Sequence, residues 1–214
     1  MKLDIERLTI RYEQGGHTVE PITDLDLIVE SGEFALLHGP SGCGKTSLLS
    51  AVAGLLTPAA GAIRLDGDDV AALSGPALMR HRQTRVGVVF QAFNLLPALS
   101  AVDNVTVPLL LAGRSRRDAA RRARDLLTEL GMEHRLEHRP AAMSGGQQQR
   151  VAIARALATD APVILADEPT AHLDRDQVDV VRGLLRGIAD DGRIVLVSTH
   201  DDRLEPSADR TIRL

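Results

Sequence analysis

The chain has 214 residues, 44% of them hydrophobic and 25% charged, a balance that excludes disorder and suits one large domain or a core with an inserted subdomain. No apolar run approaches the roughly 20 residues that span a bilayer, and the acids in Met1-Lys2-Leu3-Asp4-Ile5-Glu6 do not fit a secretory leader, so the expected compartment is the cytoplasm. A net charge of −4, with Tyr12, Phe34, Phe90 and Phe93 as the only aromatics, argues against a nucleic-acid partner, and the single Cys43 excludes an internal disulfide.

Taken in chain order, Leu3 to Tyr12 and Thr23 to Val29 alternate apolar and polar residues, the pattern of half-buried antiparallel strands, with a turn at Gly15-Gly16 between them. Phe34 to His38 is an unbroken apolar run, as are Val86 to Phe90, Val163 to Ala166 and Ile194 to Val197; such runs suit strands covered on both faces in a parallel sheet. Helical patterns over Lys45 to Ala53, Gln147 to Ala158 and Gln177 to Ile188 fall between them, which predicts an α/β core. Between about Ala92 and Met143 no buried strand is evident, and Ser115 to Leu130 is an Arg-rich helical stretch ending at Gly131. The expected organisation is a single domain over 1–214, with a core from 1–91 and 151–214 and a helical subdomain over about 92–150. A last strand at Thr211 to Leu214 leaves no room for a regulatory domain beyond it.

The segment Gly39-Pro40-Ser41-Gly42-Cys43-Gly44-Lys45-Thr46 follows an apolar strand and opens a helix, the context in which a glycine loop cradles phosphate. Glycines let successive N–H groups converge on phosphate oxygens, and the helix start adds partial positive charge. Lys45 is expected to neutralise β and γ phosphates, and Thr46 to offer its hydroxyl to Mg2+. Asp167, at the end of Val163 to Ala166, is expected to hold the ion from the opposite side through water. Ser144-Gly145-Gly146-Gln147 has two readings that remain open together. It is a capping box, and it is also a helix start where two glycines leave N–H groups free to meet a γ-phosphate, even one held by a second chain.

With these motifs in this order, the chain resembles an ATP-binding cassette, the nucleotide-binding subunit of an ABC transporter, over nearly its whole length. The resemblance implies the P-loop NTPase ABC-ATPase fold, an α/β architecture with a parallel core sheet, an N-terminal antiparallel β subdomain and an inserted helical subdomain. It implies that Tyr12 stacks on adenine, that Gly39 to Thr46 with Ser47 forms the phosphate loop, and that Gln91 is the lid glutamine touching Mg2+ or water. Ser144 to Gln147 becomes the signature, Asp167 and Glu168 the metal and base positions, Asp174 a dimer contact and His200 the switch histidine. Glu168 would orient or deprotonate water, with His200 holding water and base in place. Each has a plainer reading: Tyr12 filling a strand face, Gln91 a polar cap, Asp174 a helix cap before Gln177, Glu168 a strand-end acid, His200 a surface residue. The family arrangement implies two copies, head to tail, sandwiching two ATP molecules.

At subgroup level, Gln91-Ala92-Phe93-Asn94-Leu95-Leu96-Pro97, Asp103-Asn104-Val105 and Pro108-Leu109-Leu110-Leu111-Ala112-Gly113 resemble cassettes of lipoprotein-release, macrolide-efflux and related antimicrobial-peptide systems. Those serve a separate integral-membrane permease of few helices, which would place the chain peripherally on the inner face of the cell membrane. Phe93, Leu95 and Leu96 then either dock that permease or pack in the core. Ala171-His172-Leu173-Asp174 departs from the subgroup's usual run. A cell-division cassette with a related permease, or a soluble cassette of translation or DNA repair, is the competing expectation.

Overall fold

In the computed structural model, which describes residues 1–214 apart from the side chain of Gln14, the strands sort into two sheets by their patterning. Strands β1 (Lys2–Gln14) and β2 (His17–Glu30) form an antiparallel hairpin through Gly15 and Gly16. Along β1, Leu3 and Ile5 are buried, and so are Leu8 and Ile10, although the two pairs differ in parity. A register shift between Ile5 and Leu8, with Arg7 at φ 44°, inserts the extra residue that turns both pairs to one face. Strands β4 (Ala60–Leu65) and β5 (Asp68–Asp69) complete this sheet in the order β2-β1-β4-β5.

The unbroken apolar runs make the second sheet. Strands β3 (Phe34–His38), β6 (Val86–Val89), β7 (Val163–Asp167), β8 (Ile194–Thr199) and β9 (Arg210–Arg213) run parallel in the order β6-β7-β8-β3-β9. Every residue of β8 is buried, as a strand covered on both faces requires. Alternate residues feed opposite cores. Ala35, Leu37, Leu165 and Leu196 join Leu3, Ile5, Leu8 and helix α1 (Lys45–Val52) in one cluster. Phe34, Leu36, Ile164, Val195 and Val197 join α5 (Gly145–Leu157) and α6 (Arg175–Asp190) in the other.

The strands and α-helices without a sequence expectation are β4, β5, α2 (Gly75–Thr84) and α3 (Ala101–Leu111). The Arg-rich stretch forms α4 (Arg116–Glu129), and Gly131 ends it at φ 70°. Helix α5 starts two residues earlier than expected, because Gly145 and Gly146 already belong to its first turn. The boundary expected at 150 therefore falls inside α5, which packs on α3 and α4 and also lies against β6. That approach is close: a Cβ on Gly87 of β6 would stand 2.2 Å from the carbonyl oxygen of Ala156.

Candidate active site

Parallel register decides which side chains meet. His38 pairs with Thr199 and Asp167 with Ser198, so β3, β7 and β8 end in one row and the residues beyond them leave the sheet together. From β3 the chain enters the glycine loop, where Gly42 (φ 86°) and Gly44 (φ 103°) adopt the left-handed conformation that the curl demands. No side chain caps the amides that open α1. Lys45 is 7% exposed, and its ammonium donates to the carbonyl oxygens of Gly39 at 2.6 Å and Pro40 at 3.0 Å. The loop is thus wound around its own cation. Cys43 lies alongside, its Sγ 3.9 Å from Lys45 Nζ.

Opposite the loop, Thr46 Oγ1 donates to both carboxylate oxygens of Asp167, at 3.1 and 2.9 Å, and the Ser198 hydroxyl donates to the same group. Ser198 was not singled out in the sequence; its only signal is a polar residue ending a buried apolar strand. Glu168 takes φ 46°, with its N–H on the Ser198 carbonyl at 2.9 Å, and its carboxylate stands 2.9 Å from His200 Nδ1. The Thr199 hydroxyl and the His200 N–H reach the second Glu168 oxygen at 3.4 Å each. Behind this pair, Thr170 donates to Asp201 at 2.8 Å. Partial burial alone would raise the Asp201 carboxyl, but hydrogen bonds from Arg203 and Thr170 outweigh it and hold the group below the ordinary carboxylate range.

A cleft of about 370 Å³ opens between these groups, lined by Tyr12, Ser41, Gly42, Gly44, Lys45, Thr46, Ser47, Gln91, Glu168 and His200. Most of the expected site therefore converges, including Tyr12 from β1 and Gln91 beyond β6. Gly39, Pro40 and Cys43 form the back of the loop, and Asp167 sits beneath Thr46. The donors beside the cleft are oxygens: a hydroxyl, a carboxylate and the Gln91 amide, the set a hard cation such as Mg2+ prefers.

Ser144, Gly145, Gly146, Gln147 and Asp174 do not line the cleft. Ser144 and Gln147 close the capping box, with Gln147 N–H on Ser144 Oγ at 3.3 Å and Ser144 N–H on Gln147 Oε1 at 3.0 Å. Asp174 caps α6 by accepting from Gln177 N–H at 2.9 Å. Gly146 is buried, and its lack of a side chain leaves room for the Gln177 side chain of α6. Phe93 and Leu95 are half-buried against the helical core, whereas Leu96 is exposed.

The family model described as ABC transporter matches residues 22–171. The chain belongs to the ABC transporter family. It is 53% identical to the ABC transporter ATP-binding protein Rv0073 of Mycobacterium tuberculosis over 99% of its length, and spans 64% of that relative. The lipoprotein-releasing system ATP-binding protein LolD of Chromohalobacter salexigens is 42% identical, with 99% of this chain and 90% of the relative covered. The macrolide export ATP-binding/permease protein MacB of Rhodopseudomonas palustris is 44% identical over 95% of this chain but only 31% of its own. Among solved structures, the dimeric post-hydrolysis state of the ATP-binding cassette MJ0796 bound to ADP and Pi superposes with a TM-score of 0.90 at 35% identity, covering 99% of this chain and 94% of that one. The family resemblance and the α/β cassette fold read from the sequence are thus borne out.

Proposed function

We propose that this chain binds and hydrolyses ATP as the motor part of an ABC transporter. It drives a separate few-helix permease of the lipoprotein-release or macrolide-efflux type. The observation that carries the reading is the single cleft into which the buried Lys45, the Thr46–Asp167 pair and the Glu168–His200 pair converge. The loop amides and Lys45 bind the phosphates, Tyr12 takes the adenine, and Ser47 lies beside Thr46 at the loop's end. Mg2+, held by Thr46 and Asp167 with Gln91, would neutralise charge on the β and γ phosphates.

Glu168 accepts a proton from the attacking water as the water oxygen bonds to the γ phosphorus. The bond from that phosphorus to the bridging oxygen breaks, and ADP and phosphate leave. His200 holds the Glu168 carboxylate in position. The signature Ser144–Gln147 and Asp174 stand outside the cleft, which supports their use by a second copy in a head-to-tail dimer around two ATP molecules. The division into a core and a helical subdomain over about 92–150 gives that dimer its two contributions, loop from one copy and signature from the other. No helix of the described residues is long and apolar enough to cross a membrane, so attachment on the cytoplasmic face falls to the permease, with Phe93, Leu95 and Leu96 as its docking edge.

The test is ATP turnover by the purified chain with Mg2+, followed by recovery of Glu168→Gln with ATP from solubilised membranes of the host. Turnover lost in Glu168→Gln, and a few-helix permease in the recovered complex, are the expected results. Undiminished turnover removes the base assignment, and recovery with ribosomal or DNA-repair proteins alone overturns the transport reading.

A further inference from the structure

We infer that His38, Asp202 and Glu205 form a binding site for a divalent transition-metal ion, Zn2+ by its donor set, separate from the nucleotide cleft. His38 is the last residue of β3, immediately before the phosphate loop, and Asp202 and Glu205 lie on the 3-10 turn Asp202–Ser207 that follows His200. His38 Nε2 stands 3.8 Å from Asp202 Oδ1 and its Nδ1 stands 3.8 Å from Glu205 Oε1. One donor atom from each residue lies within 4.8 Å of the others. These separations are too long for hydrogen bonds. Nδ1 is nevertheless shielded from solvent and has no partner, a costly state for an imidazole nitrogen unless a ligand fills it.

The chemistry of the three donors selects the ion. An imidazole with two carboxylates suits Zn2+ and its d-block neighbours, whereas Mg2+ and Ca2+ take oxygen donors alone. With ligand bonds of about 2.0–2.2 Å, tetrahedral donors stand roughly 3.4 Å apart; Glu205 is already near that distance from Nδ1, whereas Asp202 faces Nε2 and has to swing to the Nδ1 side to join it. Asp202, 83% exposed at its side chain, is free to make that swing and leaves an entry path from solvent. The nearest arginine in sequence does not compete, since Arg203 is turned onto Asp201 at 2.7 and 2.8 Å. Among the described residues, neither Asp202 nor Glu205 pairs with a lysine or arginine. A bound ion would tie the strand entering the phosphate loop to the turn leaving His200; on the proposed function, this restrains His200 and slows hydrolysis.

Zn2+ binding to the full chain without nucleotide, measured by calorimetry and by competition with a chromogenic chelator, tests the site. One equivalent is expected for the native chain and for Asp167→Asn, Cys43→Ser and His200→Gln, each of which removes one possible Zn2+ donor of the nucleotide cleft. Affinity is expected to fall about tenfold or more in His38→Asn and in the Asp202→Asn/Glu205→Gln double variant, whose near-isosteric substitutions at an exposed and a half-buried position keep the fold. Absence of stoichiometric binding to the native chain, or unchanged affinity in the double variant, overturns the site. Because no nucleotide is present, this result is independent of whether the chain hydrolyses ATP. Slower turnover with Zn2+ in the native chain but not in the double variant supports the restraint on His200, and equal slowing in both overturns it.

Discussion

Lys45 shapes its own loop and, on the proposed function, also faces phosphate. Its ammonium holds the Gly39 and Pro40 carbonyls from inside the loop, so Lys45→Ala removes the charge facing phosphate and the anchor that shapes the cradle. ATP affinity is expected to fall by about tenfold or more, as loss of charge-assisted hydrogen bonds implies, and nucleotide titration by calorimetry checks it. His81 offers a second test at this scale. It is buried, with Nε2 3.0 Å from the Val52 carbonyl oxygen; burial pushes its pKa down, the hydrogen bond to Val52 opposes this, and Arg85 and Arg82 add to the lowering. The folded chain therefore binds this proton less readily than the unfolded chain, whose histidine titrates near about 6.5. Stability from this residue is present above that value and is lost as pH falls below it. The urea midpoint is expected to drop between about pH 7.5 and pH 5.5, and His81→Gln is expected to remove part of that drop. The phosphate loop, Asp167 and Glu168 were legible in the sequence because their chemistry needs fixed residue types at fixed places. Ser198 and Thr170 were not, since their partners Asp167 and Asp201 are neighbours only across the folded sheet.

Among the elements, buried parallel strands announced themselves and shorter pieces did not. Strand β4 begins Ala60-Gly61-Ala62 and has only Ile63 and Leu65 fully in the core, too little pattern to mark a strand. Helix α3 hides its period: Asn104 and Thr106 are buried beside Val102, Val105 and Leu109, and Pro108 lies within it. Asn104 meets this burial by donating to the carbonyls of Leu96, Leu99 and Ser100 and accepting from Leu96 N–H, contacts no linear pattern reveals. Gly87 is likewise an ordinary glycine until α5 is laid against β6. A methyl group there meets backbone, not a side chain able to swing away. Gly87→Ala is expected to destabilise the fold by about 1–3 kcal/mol in urea titration, with the midpoint falling accordingly; an unchanged midpoint would show that α5 yields freely.

At the scale of the whole molecule, the proposed function makes the cleft half of a shared site. The 370 Å³ cleft is lined by the phosphate loop, Tyr12, Gln91 and the ends of β7 and β8, while the capped start of α5 lies elsewhere. Glu168→Gln with ATP and Mg2+ is therefore expected to sediment as a dimer, and with ADP as a monomer. A monomer at saturating ATP would contradict the sandwich. The sequence could indicate that the signature stands apart from the cleft only through family resemblance, because nothing in composition or spacing reports where a helix start comes to rest.

One feature of α5 carries further than its cap. The helix is 13 residues long, about 20 Å, with Ser144 at one end and Arg155 near the other. Arg155 donates to the carbonyl oxygens of Phe93, at 2.8 Å, and of Asn94, and burial lowers its pKa. Both residues it grips are left-handed, at φ 59° and 48°, a conformation the chain does not hold without support. Whatever moves the Ser144 end of this rigid rod is thus carried along its axis to the Phe93–Asn94 backbone, close to where Ala156 abuts Gly87.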